Sequence, residues 1–289
     1  MGKYRNNIER SEEILCRDQI PGDLHWKPEG MCFLGEIYDI ENDKYYSQRA
    51  GKKYRPKTDY QHLDEGHYQG YRFAIQKLTK EGDIVLDPTV GSGTAMIEAI
   101  NNKRFGLGVE LEWPELCDEN CKAQESTYWH KVFSGSVFDI NELLGDFLYE
   151  SQVSLVINGT PYPIINGNTT SDAPFGSNLE GYTDKDSYGN LKYPNGDYEF
   201  FIRDMYKKTD KFLKKGGFFC LIIKDPIRNK KPFLLQEKIL GWVLEDLGYE
   251  KYGYFVHRHI PETLFMRTYK KRFPEVSLPS YQIGCILRK

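Results

Sequence analysis

Short apolar runs alternate with stretches of helical periodicity from residue 71 to the end of the chain. Strands are predicted at 83–87, 104–111, 131–134, 154–158, 218–224, 251–258 and 280–289. Helices are predicted at 71–82, 94–102, 114–125, 140–149, 198–213 and 234–247. Strands that alternate with helices in this way build a parallel sheet, so the pattern predicts an α/β fold.

The first 66 residues follow a different pattern. They are polar, rich in tyrosine and weakly periodic, and we interpret residues 1–66 as an extension packed on the core domain at 67–289. Residues 164–197 are dense in Asn, Gly, Ser, Asp and Tyr, and they predict an inserted loop. Loops of that length inside a compact domain are usually functional or mobile.

Composition restricts the classes of protein that remain. The formal net charge is −3 and 28% of residues are charged, while no apolar run approaches the roughly 20 residues that a membrane span needs. The beginning of the chain lacks the apolar segment of a secretory signal, and the six cysteines include no C-x-x-C pair, so we expect a cytoplasmic protein with reduced thiols. Binding of nucleic acid then depends on local basic patches, for which residues 49–57, 224–231 and 267–272 are candidates.

A glycine-rich turn, Asp87-Pro-Thr-Val-Gly-Ser-Gly-Thr94, separates a predicted strand from a predicted helix. Glycines at such a turn let the backbone approach a ligand closely, and the following helix presents free N–H groups. Glu110 ends the next strand, where a carboxylate can accept hydrogen bonds from two ribose hydroxyls, and Asp139 follows the third strand, where it can accept from an adenine amino group. Together these three strand ends predict an adenosine site.

The turn and the acidic strand end in GLGVELE resemble the S-adenosylmethionine turn of class I methyltransferases, in particular that of DNA methyltransferases acting on amino groups. The resemblance implies a Rossmann-like fold with a mostly parallel seven-stranded sheet, helices on both faces and an antiparallel last strand. It implies S-adenosyl-L-methionine as cofactor. The cofactor-binding residues it implies, together with those of the strand ends, are Asp87, Thr89, Gly91, Gly93, Thr94, Glu110, Asp139 and His67.

The fourth predicted strand runs into Asn158-Gly-Thr-Pro-Tyr162. In the same family this strand end carries a polar residue, two prolines and an aromatic residue. Hydrogen-bond acceptors there hold and polarise an exocyclic amine, and the aromatic ring stacks on the flipped base. The predicted catalytic residues are Asn158, Thr160, Pro161 and Tyr162.

This motif departs from the family pattern at its beginning. When it is aligned on Pro161 and Tyr162, Gly159 occupies the polar position and Thr160 the position of the first proline. Three interpretations stay open: Asn158 takes the acceptor role through a shifted turn, backbone carbonyls supply it, or the site is impaired. No metal site is predicted, because His257 and His259 lack a third ligand nearby.

The sequence therefore predicts a site-specific methyltransferase that modifies adenine N6 or cytosine N4 in DNA, of the kind found in restriction-modification systems. Alternatives with the same chemistry are an RNA base amine or the amide of a protein glutamine. A methyltransferase fold that only binds nucleic acid or a partner is the third possibility, and a partner subunit or a homodimer stays open.

Overall fold

The computed structural model describes the backbone of the chain at residues 31–35, 38–39, 44–45, 68–124, 126–161, 164–165, 192–193, 197–223, 227–228, 231–232, 234–258 and 281–289. Several predictions lie outside these residues. They are His67, Tyr162, most of the 1–66 extension, the inside of the 164–197 loop, and the greater part of the basic patches.

One sheet organises the chain, and its eight strands are β1 (Met31–Gly35), β4 (Ile84–Asp87), β5 (Phe105–Glu110), β6 (His130–Ser134), β7 (Val153–Asn158), β10 (Leu213–Ile223), β13 (Glu250–Arg258) and β14 (Tyr281–Arg288). Their spatial order is β1-β13-β14-β10-β7-β4-β5-β6. β14 is antiparallel to both of its neighbours, whereas every other pair in this sheet is parallel. The predicted seven-stranded fold with an antiparallel last strand is confirmed, and β1 adds an eighth strand at the β13 edge.

The helices are α1 (Tyr68–Leu78), α2 (Thr94–Asn101), α3 (Pro114–Lys122), α4 (Ile140–Gly145), α5 (Asp197–Asp210) and α6 (Leu235–Leu247). They cover both faces of the sheet. Leu86 and Val156 pack with α4, α5 and α6 on one face, whereas Val85 and Leu155 pack with α1 and α2 on the other. Because the central strands are buried on both faces, they read as continuous apolar runs in the sequence.

Three pairs of two-residue strands stand outside the large sheet: β2 (Tyr38–Asp39) with β3 (Lys44–Tyr45), β8 (Ile164–Ile165) with β9 (Lys192–Tyr193), and β11 (Ile227–Arg228) with β12 (Lys231–Pro232). The pair β8 and β9 is parallel and joins the two ends of the predicted 164–197 loop. Within the described residues, no helix is long and apolar enough to span a membrane.

Several predicted boundaries are wrong, among them that of the helix predicted at 71–82, which spans Tyr68–Leu78. The helix predicted at 198–213 ends at Asp210, and Leu213 already belongs to β10, where it pairs with Val153. The register of this strand shifts between Leu213 and Phe218, and Gly216 there has φ +74°. An irregular strand of this kind hides its alternating pattern, and the apolar Leu213 then extends the helical periodicity by one residue. Likewise, α4 ends at Gly145 rather than at Tyr149.

Candidate functional site

The glycine turn connects the end of β4 to the beginning of α2 at the carboxyl edge of the sheet. Gly91 and Gly93 adopt φ values of +56° and +99°, which favour glycine. A Cβ atom at Gly93 would lie 3.1 Å from Cys117 Sγ on α3. The backbone therefore needs glycine at Gly93 for its conformation and for its close contact with the neighbouring helix.

Glu110 fixes this turn to the end of β5. Its Oε2 accepts a hydrogen bond from the Gly91 N–H at 2.8 Å, and its Oε1 accepts from the N–H groups of Glu112 and Trp113 at 3.0 and 3.3 Å. A carboxylate offers about four acceptor positions, and three backbone donors occupy three of them. Glu110 thus shapes the turn directly, while its predicted contact with a ribose stays a prediction.

Asn158 joins the glycine turn to the end of β7. Its Nδ2 donates to Asp87 Oδ1 at 2.9 Å and to Thr89 Oγ1 at 2.8 Å. The Asn158 side chain is fully buried. The side-chain amide of Asn158 therefore joins the end of β7 to the glycine turn, although Asn158 and Asp87 are 71 positions apart in the sequence.

The carbonyl oxygen of the same amide lies in a triangle of polar groups. Asn158 Oδ1 is 3.0 Å from Thr160 Oγ1 and 2.8 Å from the Tyr206 hydroxyl, and these two hydroxyls are 2.8 Å apart. Both donor hydrogens of the Asn158 amide are engaged by Asp87 and Thr89, and its carbonyl oxygen lies within hydrogen-bond distance of two hydroxyls, which have two hydrogens to share among the three contacts of the triangle. Next to this triangle, the Pro161 carbonyl accepts from the Tyr198 hydroxyl at 2.8 Å.

Burial dominates the electrostatics of Asp87. Desolvation, with a smaller contribution from the nearby Glu110 charge, raises the pKa of Asp87 to about 7 against the opposing effect of the hydrogen bonds from Asn158 and Thr89. Burial also raises the pKa of the Tyr206 hydroxyl, and the Asp87 charge adds to this effect. Two buried carboxylates at adjacent strand ends favour a ligand that carries positive charge.

The substitution Asp87→Asn tests this interpretation through the pH dependence of stability. Because the folded-state pKa of Asp87 lies above its unfolded value, its stabilising contribution is complete below about pH 4 and is lost as pH rises through about 7. Relative to Asp87→Asn, the wild type should lose on the order of 3 kcal/mol of unfolding free energy between pH 5 and pH 8. Urea denaturation of both proteins at the two pH values measures the difference, and parallel pH profiles would contradict the assignment.

The remaining predicted residues are placed as follows. Thr89 contacts Asn158, and Thr94 is buried as the first residue of α2. Asp139 is exposed in a 3₁₀ turn after β6, and its predicted contact with adenine stays a prediction. His67 and Tyr162 lie outside the described residues. Among the residues that the structure describes, no group of three or more side chains is arranged to hold a metal ion.

Sequence reasoning missed the tyrosines that surround the motif. Tyr198 and Tyr206 lie on α5 and are buried, and a buried tyrosine hydroxyl usually requires a partner. Both belong to the apolar stripe of that helix, so the pattern predicts their burial. It does not indicate that their hydroxyls meet the strand end of β7.

Comparison with known proteins finds a family profile that matches part of the chain. Residues 35–119 match the family profile described as DNA methylase. The match includes the glycine turn and Glu110 and ends before the strand end of β7, and the predicted resemblance to amino-group DNA methyltransferases is confirmed. No curated protein sequence matches the chain.

Solved structures of several methyltransferases are similar to this chain at low sequence identity. A methyltransferase from Pyrococcus furiosus is 13% identical, with 84% of this chain and 94% of that chain covered and a TM-score of 0.45. TYW2 from M. jannaschii, solved in complex with AdoMet, is 13% identical, with coverages of 80% and 77% and a TM-score of 0.41. Geranyl diphosphate C-methyltransferase from Streptomyces coelicolor A3(2) is 9% identical, with coverages of 77% and 78% and a TM-score of 0.42.

Proposed function

We propose that this protein is an S-adenosyl-L-methionine-dependent methyltransferase that modifies the exocyclic amine of a base in DNA, at adenine N6 or cytosine N4. The observation that supports this most is the 2.9 Å hydrogen bond between Asn158 and Asp87. It holds the glycine turn and the predicted catalytic motif side by side at one edge of the sheet. Ligands of open α/β sheets bind at this edge.

The residues at the turn fit the cofactor by their charge and shape. S-adenosyl-L-methionine supplies a methyl group on a positively charged sulfonium and also carries an ammonium group. Asp87 and Glu110 are buried carboxylates at neighbouring strand ends, and a positively charged ligand nearby would offset their mutual repulsion. Gly91 and Gly93 keep the turn free of side chains where the ligand approaches.

The chemistry required of the chain is positioning. The amine lone pair is delocalised into the ring of the base, so the site must hold the amine hydrogens and direct the lone pair at the methyl carbon. When bound, S-adenosyl-L-methionine would supply the methyl group: the nitrogen–carbon bond would form as the carbon–sulfur bond breaks, with the bonding electron pair left on sulfur and one proton of the amine released to water. A base in duplex DNA has to be flipped out of the stack before it can enter the pocket.

A second candidate is a methyltransferase fold that binds nucleic acid without catalysis. The hydrogen bonds of Asn158 and Thr160 support it. Asn158 and Thr160, the two polar side chains of the degenerate motif, hydrogen-bond to internal partners. A protein of this class binds nucleic acid but transfers no methyl group. RNA bases and protein glutamine are alternative targets for an active enzyme.

Transfer of a radiolabelled methyl group to duplex DNA, single-stranded DNA and RNA tests the proposal. We expect label in DNA, and nucleoside digestion should yield N6-methyladenine or N4-methylcytosine. Because phosphate contacts release counterions, DNA binding should weaken steeply between 50 and 200 mM salt. Calorimetry with S-adenosyl-L-methionine measures cofactor binding separately.

The outcomes separate the candidates. Label in RNA alone, or in added protein alone, would contradict DNA as the substrate. Cofactor binding with no transfer to any of these substrates would contradict methylation of nucleic acid. DNA binding with neither cofactor binding nor transfer would favour the non-catalytic candidate.

A further inference from the structure

Gly159 stands at the position of the predicted catalytic motif where the family carries a polar residue, so this position has no side chain. An ideal Cβ atom built at Gly159 would collide with the hydroxyl oxygen of Tyr71, and it would lie 3.7 Å from Tyr71 Cζ and 3.7 Å from the Ile222 carbonyl oxygen. The Tyr71 hydroxyl therefore fills the space into which a side chain at position 159 would extend. Gly159 directly follows β7, so this space lies at the carboxyl edge of the sheet.

The other polar side chains of the motif are directed elsewhere. The Asn158 amide donates to Asp87 and Thr89, its carbonyl oxygen contacts the Thr160 and Tyr206 hydroxyls, and these two hydroxyls also contact each other. Both residues are buried: Asn158 is fully buried, and Thr160 is 2% exposed. For either side chain to accept a hydrogen bond from the target amine, its contacts in this network would have to rearrange.

Tyr71 is held firmly in place. Its side chain is 4% exposed and packs among the apolar residues between α1 and the sheet. The neighbouring Arg72 forms an ion pair with the buried Glu98 of α2 at 2.8 Å, and Gln76 donates to Asn102 at 2.7 Å. These contacts fix the position of α1 relative to α2. They therefore also fix how far the Tyr71 hydroxyl reaches toward Gly159 at the edge of the sheet.

We propose that Tyr71 replaces the missing motif side chain and that its hydroxyl oxygen accepts a hydrogen bond from the target amine. This inference rests on the proposed function and adds a substrate-contacting residue from outside the motif. The accepted hydrogen bond orients the amine so that its lone pair faces the methyl carbon. The reaction is the methyl transfer described above. The Tyr71 hydroxyl stays neutral throughout, and the proton released by the nitrogen goes to water.

Exchange of the hydroxyl between the two positions tests the assignment. Tyr71→Phe should lower kcat about 100-fold, the effect typical of a lost preorganised hydrogen bond, with the Kd for S-adenosyl-L-methionine unchanged within twofold. Gly159→Ser alone should also lose activity, because its Cβ collides with the tyrosine oxygen. The double variant Tyr71→Phe/Gly159→Ser should recover activity to within about tenfold of wild type, since the space is freed and a hydroxyl returns to it.

The matched control is Tyr71→Phe/Gly159→Ala, which fills the same space without an oxygen and should stay as inactive as Tyr71→Phe. Thermal unfolding of each variant shows whether it is folded. A fully active Tyr71→Phe, or equal activity of the serine and alanine double variants, would overturn the role of Tyr71 and leave the proposed function standing. A wild type that methylates no nucleic acid would overturn the proposed function and the role of Tyr71 together.

Discussion

Replacing Asn158 with aspartate is expected to lower the free energy of unfolding by about 3 kcal/mol at pH 8 and by less than about 1 kcal/mol at pH 5. The substitution places a second carboxylate at hydrogen-bond distance from the buried Asp87. At pH 5 the pair holds a proton and keeps a hydrogen bond between the two groups. At pH 8 that proton is either lost, which leaves two buried charges in contact, or bound at a free-energy cost.

Urea denaturation at the two pH values measures this effect as the difference between variant and wild type. Asn101→Asp adds the same charge at an exposed position of α2 and should change the stability little at either pH. The double variant Asp87→Asn/Asn158→Asp should recover most of the loss at pH 8, because only one carboxylate remains. A loss of equal size at both pH values would show that repulsion from Asp87 is not the cause.

The second large effect is expected from Gly93→Ala, which should destabilise the protein by about 3 kcal/mol and weaken S-adenosyl-L-methionine binding more than tenfold. The φ of +99° strains any residue with a Cβ atom, and that Cβ would also press against Cys117 Sγ at 3.1 Å. Relief of either strain moves the turn away from its contact with Glu110. Urea denaturation and calorimetry measure the two losses.

Gly82→Ala is the matched control, because Gly82 has φ +80° but a Cβ atom there would meet nothing within 4 Å. It should lose only the backbone contribution of about 1–2 kcal/mol and bind the cofactor like wild type. Cys117→Ala in the Gly93→Ala background should recover part of the stability. Equal losses of unfolding free energy in Gly93→Ala and Gly82→Ala would refute the explanation that the added Cβ atom presses against Cys117.

Local chemistry allowed the glycine turn to be predicted from the sequence. The strand before it is a continuous apolar run, the glycines are adjacent, and the acidic end of the next strand falls one βα unit later. Each of these signals lies within about 25 residues, and parallel strands bring their carboxyl ends together by topology. The contact between Gly91 and Glu110 follows from that arrangement.

The side-chain contacts of the degenerate motif at the end of β7, by contrast, could not be predicted from local sequence. The spacing of Asn158, Thr160 and Tyr162 does not reveal which partners their side chains meet, because those partners come from α5 and from the turn after β4. The engagement of Asn158 by Asp87 and Tyr206 depends on contacts across 71 and 48 positions of the chain. Tyr71 likewise reaches Gly159 only through the packing of α1 on the sheet.

The α/β class, the order of the core strands and helices, and the glycine turn could all be predicted from the sequence, because hydrophobic periodicity and glycine conformation act over a few residues. The packed fold was needed to show that the Asn158 amide bonds to internal partners, that Asp87 is desolvated, and that a tyrosine of α1 fills the space at Gly159. Side-chain hydrogen bonds and desolvation depend on which surfaces meet when the elements pack, and that information is spread over the whole fold.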